Sequence, residues 1–196
     1  IREILAGYKN ITVVMGNVVR IDKGKSKIYL ENGDDIAFDH LIVAAGAKHS
    51  YFSHPEWESL APGLKTLKAA VKLREKILIS FEKAERSDSI SAARKYLNFA
   101  IIGGGPTGVE LAGAIAEIAY DTLMKNFRRI NLKQTKIYLI EGSPNILPAY
   151  SEKLSKTAQK YLEQFGVIVW TGDRVTNITA IGVEVGDKFI DLGSRQ

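Results

Sequence analysis

Three features of the 196-residue chain predict an α/β fold, a Rossmann-like parallel sheet followed by a β-meander. The first is the run Phe99-Ala100-Ile101-Ile102-Gly103-Gly104-Gly105-Pro106-Thr107-Gly108-Val109-Glu110-Leu111-Ala112, which reads as buried strand, glycine turn and helix. The second is the order of apolar patterns from residue 97 to residue 170, β-α-β-α-β, which forces a parallel sheet with right-handed crossovers. The third is the alternation over 174–192 around Gly182 and Gly186-Asp187, the signal of short antiparallel strands.

The elements follow in chain order. The first portion is β-rich: residues 10–14, 17–22 and 26–31 carry β-branched or aromatic side chains between glycine turns. Asn32-Gly33-Asp34-Asp35 is a turn leading into further strand. Residues 39–45 form a strongly apolar run that stops at Gly46, the pattern of a buried parallel strand. Residues 47–64, with Pro55 and Pro62, are a loop. Over 64–86, Leu67, Ala70, Val71, Ile77, Leu78 and Phe81 recur at helical spacing with lysines and glutamates between them. Residues 87–95 are polar and are expected to mark a crossing between two domains, 1–95 and 96–196. A strand over 97–102, a helix over 107–126 and a strand over 136–140 ending at Glu141 come next. Leu154, Ala158, Tyr161, Leu162 and Phe165 stripe the following helix, and Gly166 suits a left-handed terminator before a strand over 167–170.

Composition excludes several functions. With 45% hydrophobic and 25% charged residues the balance is that of an ordinary globular chain. No cysteine is present, which removes disulfides, thiolate metal sites and any Cys-x-x-Cys redox centre. No apolar run reaches the roughly 18 residues a membrane-spanning helix needs. The net charge of +5 is scattered and has no nucleic-acid-binding signature beside it, so no nucleic-acid partner is expected. The chain starts at Ile1 without signal peptide or initiator Met, and is expected to be a piece of a longer protein.

The glycine run carries the chemistry. Gly103 permits a tight turn, Gly105 leaves room for a pyrophosphate, and Gly108 lets the helix pack against the strand. The helix start then offers unpaired N–H groups to an anion, and Pro106 is tolerated where no N–H is needed. Gly104 and Thr107 complete the loop. Glu141 ends the next strand, where a carboxylate accepts from adenosine ribose hydroxyls and repels a 2′-phosphate, favouring NADH over NADPH. It lies 33 residues beyond Gly108, farther than usual, with the excess assigned to an extended connection at 124–135. Glu110 is either a helix-start acid favoured by the macrodipole or a carboxylate facing a redox site. Lys125, Arg128, Arg129, Lys133 and Lys136 form a basic stretch best read as a solvated connection. His40, His49 and His54 have no metal or triad spacing, and no metal site is expected.

With these residues in view, the chain resembles the type II NADH dehydrogenases, single-subunit, non-proton-pumping flavoproteins. The resemblance rests on Gly103 to Gly113, on Ile140-Glu141-Gly142-Ser143-Pro144 and on Ile146-Leu147-Pro148. Ala44-Ala45-Gly46-Ala47-Lys48-His49-Ser50-Tyr51-Phe52 and Ala61-Pro62-Gly63-Leu64-Lys65-Thr66-Leu67 look like the same family. It implies an incomplete FAD-binding segment over 1–95 and an NADH-binding domain over 96–196. It implies that the 103–108 loop and Gly142 bind NADH with Glu141 on its ribose, and that Glu110 serves catalysis near a nicotinamide–flavin–quinone junction. Val18 and Ala45-Gly46 would lie on FAD, with Ala45 standing where many relatives of this flavoprotein class have Thr. Hydride would pass from NADH to flavin and electrons on to quinone, at the cytoplasmic side of a membrane reached through a missing C-terminal region. A homodimer is compatible with the same resemblance. Two other functions stay open at this point, a reductase of a soluble electron carrier and a nucleotide-binding module without turnover. For the chain by itself, NADH binding without catalysis is expected.

Overall fold

Residues 1–46 and 50–193 are described by the computed structural model, and backbone contacts divide the chain into Ile1–Lys48 and His49–Gln196. His49, with Ala47-Lys48 of the resembling run, lies outside the described residues.

The first unit holds a short helix α1 (Arg2–Leu5) and three strands, β1 (Val18–Asp22), β2 (Lys27–Leu30) and β3 (Asp35–Ala37), in an antiparallel meander. Asp22 pairs with Lys27 at the hairpin end, and an ion pair of 3.0 Å joins Lys27 to Asp35 across the next pair. Residues 10–14 are not a strand, and neither is the apolar run 39–45. Ile42 is 91% exposed. A buried strand exists only between neighbours that take its backbone hydrogen bonds, and no described residue of this unit supplies them. Leu30 is the sole buried side chain among its described residues.

The second unit begins with a one-turn helix α2 (Trp57–Leu60), inside the stretch expected to be loop, because Trp57 buries its ring and stacks on His54 at 4.1 Å. Helix α3 (Leu67–Glu85) matches the periodic stretch, with Thr66 capping the Ala69 N–H. The stretch expected to mark a domain crossing, 87–95, contains a second capped helix, α4 (Ile90–Tyr96), whose first turn is held by the Ser89 hydroxyl on the Ala92 N–H. Ala93 is buried with Ile77, Phe81 and Ala84 of α3 in the core of this unit, so by backbone contacts α3 and α4 group with the sheet that follows.

The sheet follows. Strands β4 (Asn98–Ile102), β5 (Lys136–Glu141) and β6 (Val167–Thr171) pair in parallel in that order, with Ile102 opposite Ile140 and Glu141 opposite Thr171. Helix α5 (Pro106–Glu117) is shorter than expected, since a π-helical turn, Ile118–Thr122, succeeds it. That wider turn brings the Tyr120 hydroxyl to the Thr135 carbonyl at 2.8 Å. Helix α6 (Glu152–Gln164) ends before Gly166, which takes φ +84° as its terminator role requires. Strands β7 (Val175–Ile178), β8 (Gly182–Val185) and β9 (Lys188–Asp191) form the expected meander.

Register explains the layering. Phe99, Ile101, Ile137, Leu139 and Val167 alternate onto one face of the sheet and bury against α3, α5 and α6. Ile140, Ala100 and Tyr138 belong to the opposite core, with Val183, Val185 and Ile190 of the meander. Each fully buried large apolar side chain contributes about 1.5–3 kcal/mol. The sheet is thereby fixed on both faces, and its carboxyl edge is left to carry the site.

Candidate dinucleotide-binding site

The glycine turn leaves β4 under tight steric control. Gly103 adopts φ +104°, and its N–H donates to the Ile140 carbonyl at 2.8 Å, extending the β4–β5 ladder by one bond. A Cβ on Gly104 would approach the Glu141 Cβ and Ile146 Cγ2 to 2.9 Å, and one on Gly108 would overlap the Gly103 carbonyl oxygen. Gly105 differs: a Cβ there meets nothing within 4 Å. Gly104 and Gly108 are thus required by the protein itself, whereas Gly105 keeps a space open at the start of α5. Gly105 is the N-cap and Pro106 opens the helix, so the first-turn N–H groups beyond, at Thr107 and Gly108, face that space without intrahelical acceptors.

Glu141 closes the turn from the neighbouring strand. One carboxylate oxygen accepts from the Gly104 N–H and the other from the Ser143 N–H, both at 2.7 Å. Burial pushes this carboxyl upward, but the Ser143 and Gly104 amides with the Ser143 side chain outweigh it, and the group lies below its ordinary value. It is therefore ionised at neutral pH. The loop after β5 braces the same turn: the Leu147 N–H donates to the Gly104 carbonyl at 2.7 Å, and the Ser155 hydroxyl of α6 holds the Ile146 carbonyl at 2.6 Å. Gly142 is exposed, and the stem of Arg174 lies along it.

A cleft of about 760 Å³ opens beside β4, lined by Gly103, Gly105 and Thr107 of the turn and by Tyr51, Trp57 and Leu64 opposite. This is the size of ordinary small-molecule sites. Glu110 is exposed on α5 and does not line it, and neither do Gly104, Glu141 and Gly142. The structure therefore gathers Gly103 to Gly108, Glu141 and Gly142 at one carboxyl edge and leaves Glu110 beside them. Val18, Ala45 and Gly46 are exposed in the first unit, with Gly46 at φ +73°. The pieces that sequence reasoning passed over are the brace at Leu147 and Arg174 in the loop between β6 and β7, although position near the carboxyl edge is itself a signal.

A family model described as pyridine nucleotide-disulphide oxidoreductase matches residues 2–192. The chain belongs to that family. The family's name carries a disulphide, but no cysteine occurs in this chain. Over 190 residues the chain is 39% identical to the type II NADH:quinone oxidoreductase Ndh of Mycobacterium tuberculosis, covering 95% of this chain and 41% of that protein. It is 38% identical to NdhA of the same organism, covering 100% and 42%. The solved structure of NDH2 from Plasmodium falciparum in complex with NADH superposes with a TM-score of 0.71 at 25% identity, covering 84% of this chain and 35% of that one. The chain thus spans about two-fifths of the length of these curated relatives.

Proposed function

We propose that the chain is the NADH-binding portion of an FAD-dependent NADH:quinone oxidoreductase of type II. The observation that carries this is the glycine turn, closed to any side chain at 104 and 108, open at 105, and tied to an ionised Glu141. That arrangement suits a dinucleotide: diphosphate against Gly105 and the first turn of α5, adenosine ribose on Glu141 and Gly142. The resemblance to the two M. tuberculosis enzymes supplies the acceptor, a quinone, and the family implies use of FAD with NADH.

In this reading residues 1–95 are a segment of the FAD domain and 96–196 the NADH domain. When bound, the flavin supplies the hydride acceptor chemistry. Val18 and Ala45-Gly46 of the first unit would contribute contacts to it. Glu110, beside the turn, handles protons near the nicotinamide. Attachment to the cytoplasmic side of a membrane and a homodimer belong to the same proposal. Among the described residues no helix is long and apolar enough to cross a membrane.

Titration of the chain with NADH and NADPH, alongside an absorbance spectrum, tests the reading. NADH is expected to bind, more tightly than NADPH, to a chain without flavin absorbance. Absence of NADH binding, or a strong flavin band in the isolated chain, overturns it.

A further inference from the structure

We propose that Arg174 is a specificity-determining residue at the 2′ position of the adenosine ribose, offering a cation to a 2′-phosphate. The inference rests on the dinucleotide reading of Glu141 and the glycine turn, and deepens it.

Four observations place this side chain. Strand β6 ends at Thr171, the register partner of Glu141, so the residues that follow stand at the carboxyl edge beside the proposed ribose carboxylate. The intervening loop is fixed: the Gly172 N–H, at φ +86°, donates to the carbonyls of both Glu141 and Ser143 at 3.0 Å. Asp173 accepts from the Trp170 indole N–H at 2.7 Å. The Arg174 stem then runs along Gly142, so close that a Cβ at 142 would lie 2.9 Å from its Cγ and 3.5 Å from its Nε.

Among the described residues the guanidinium has no anionic partner. Arg174 is exposed and makes no hydrogen bond or ion pair among the described residues. The carboxylates on either side of it are engaged, Glu141 by two amides and Asp173 by the indole. A guanidinium presents a planar fork of donors matched to phosphate oxygens. Glu141 repels a 2′-phosphate, and Arg174 beside Gly142 counters that repulsion. The preference between the two nucleotides is then set by a pair of opposite charges rather than by the acid alone. The competing account is an arginine that merely covers a glycine with its aliphatic stem.

The test is fluorescence titration of the chain with NADH and with NADPH, for wild type, Arg174→Ala, Arg174→Lys and Gly142→Ala. Removing one charge-assisted contact to phosphate should weaken NADPH about tenfold in Arg174→Ala while NADH stays within about twofold. Arg174→Lys should restore part of the NADPH affinity, and added salt should narrow the gap between wild type and Arg174→Ala. Gly142→Ala, which crowds both the ribose and the arginine stem, should lower NADPH affinity more than NADH affinity. Equal losses for both nucleotides, or an unchanged NADPH affinity in Arg174→Ala, overturn this inference while leaving the NADH reading standing. Wild-type chain that binds neither nucleotide overturns both.

Discussion

At Gly108 an added methyl group would overlap the Gly103 carbonyl oxygen, whereas at Gly105 it would meet no atom within 4 Å. Alanine at these two positions should therefore separate folding from binding. Gly108→Ala forces helix α5 away from β4 and should cost about 1–3 kcal/mol, the range of overpacked cores, read as a lower urea midpoint. Gly105→Ala, at φ −72°, suffers no backbone strain and should stay within about 0.5 kcal/mol of wild type. Its methyl group stands in the proposed diphosphate site, so NADH affinity should fall about tenfold or more. Denaturation and NADH titration of the two variants check both halves. At this scale the turn was legible from sequence, because each glycine's place in a strand–turn–helix run carries a steric meaning. Arg174 was not, since nothing in its neighbours announces that the chain folds its stem across Gly142. The placement of Glu110 outside the cleft lining is equally a three-dimensional fact.

Helix α3 ends on a clamp. The Glu85 carboxylate accepts N–H bonds from Arg128, Arg129 and Ile130, all between 3.0 and 3.1 Å, and so ties the connection between α5 and β5 to the helix. Burial raises this carboxyl, but the three amides and the Arg129 charge prevail and hold it below its ordinary value. A group depressed in the folded state adds stability above its unfolded value, about 4.3 for glutamate, and loses it as pH falls through the folded value. Glu85→Ala should therefore lower Tm more than Glu82→Ala, an exposed acid of the same helix, at pH 7. The difference between the variants should shrink as pH is taken below 4, measured by thermal melts across that range. Sequence located α3 because its buried stripe recurs every turn. It missed α4, whose seven residues are too few to show a periodic stripe and whose start is marked only by the Ser89 cap. It misjudged 39–45, since an apolar run resembles a buried strand whether or not neighbours exist to bond it.

The two units differ in how much core they own. The second encloses its sheet between helices on one face and the meander on the other, with Ile137 and Leu139 fully buried at its centre. The first buries Leu30 alone among its described residues. The shorter a segment, the smaller the share of its surface it can bury on folding, so a unit of this size is marginal by itself. Amide hydrogen exchange should divide accordingly, with the slowest protons in β5 and rapid exchange throughout β1, β2 and β3. Protection in the β1–β2 hairpin equal to that in β5 would contradict this ordering. The parallel sheet, its meander and their order were readable from periodicity and from the glycine turn. The 48/49 division was not, because it depends on which core α3 and α4 join.

The Glu141 carboxylate has a consequence for how such a chain can change its cofactor. Its two oxygens bridge the Gly104 and Ser143 amides, so the side chain proposed to read the ribose is also a strut between the turn and the adjoining loop. Replacing it with a small neutral residue, a simple route toward accepting a 2′-phosphate, strands two backbone donors in the same stroke. A lineage drifting from one nucleotide to the other would have to acquire a substitute acceptor for those donors before, or together with, loss of the acid. Retuning through Arg174, which makes no hydrogen bond or ion pair among the described residues, is the path that leaves the strut intact.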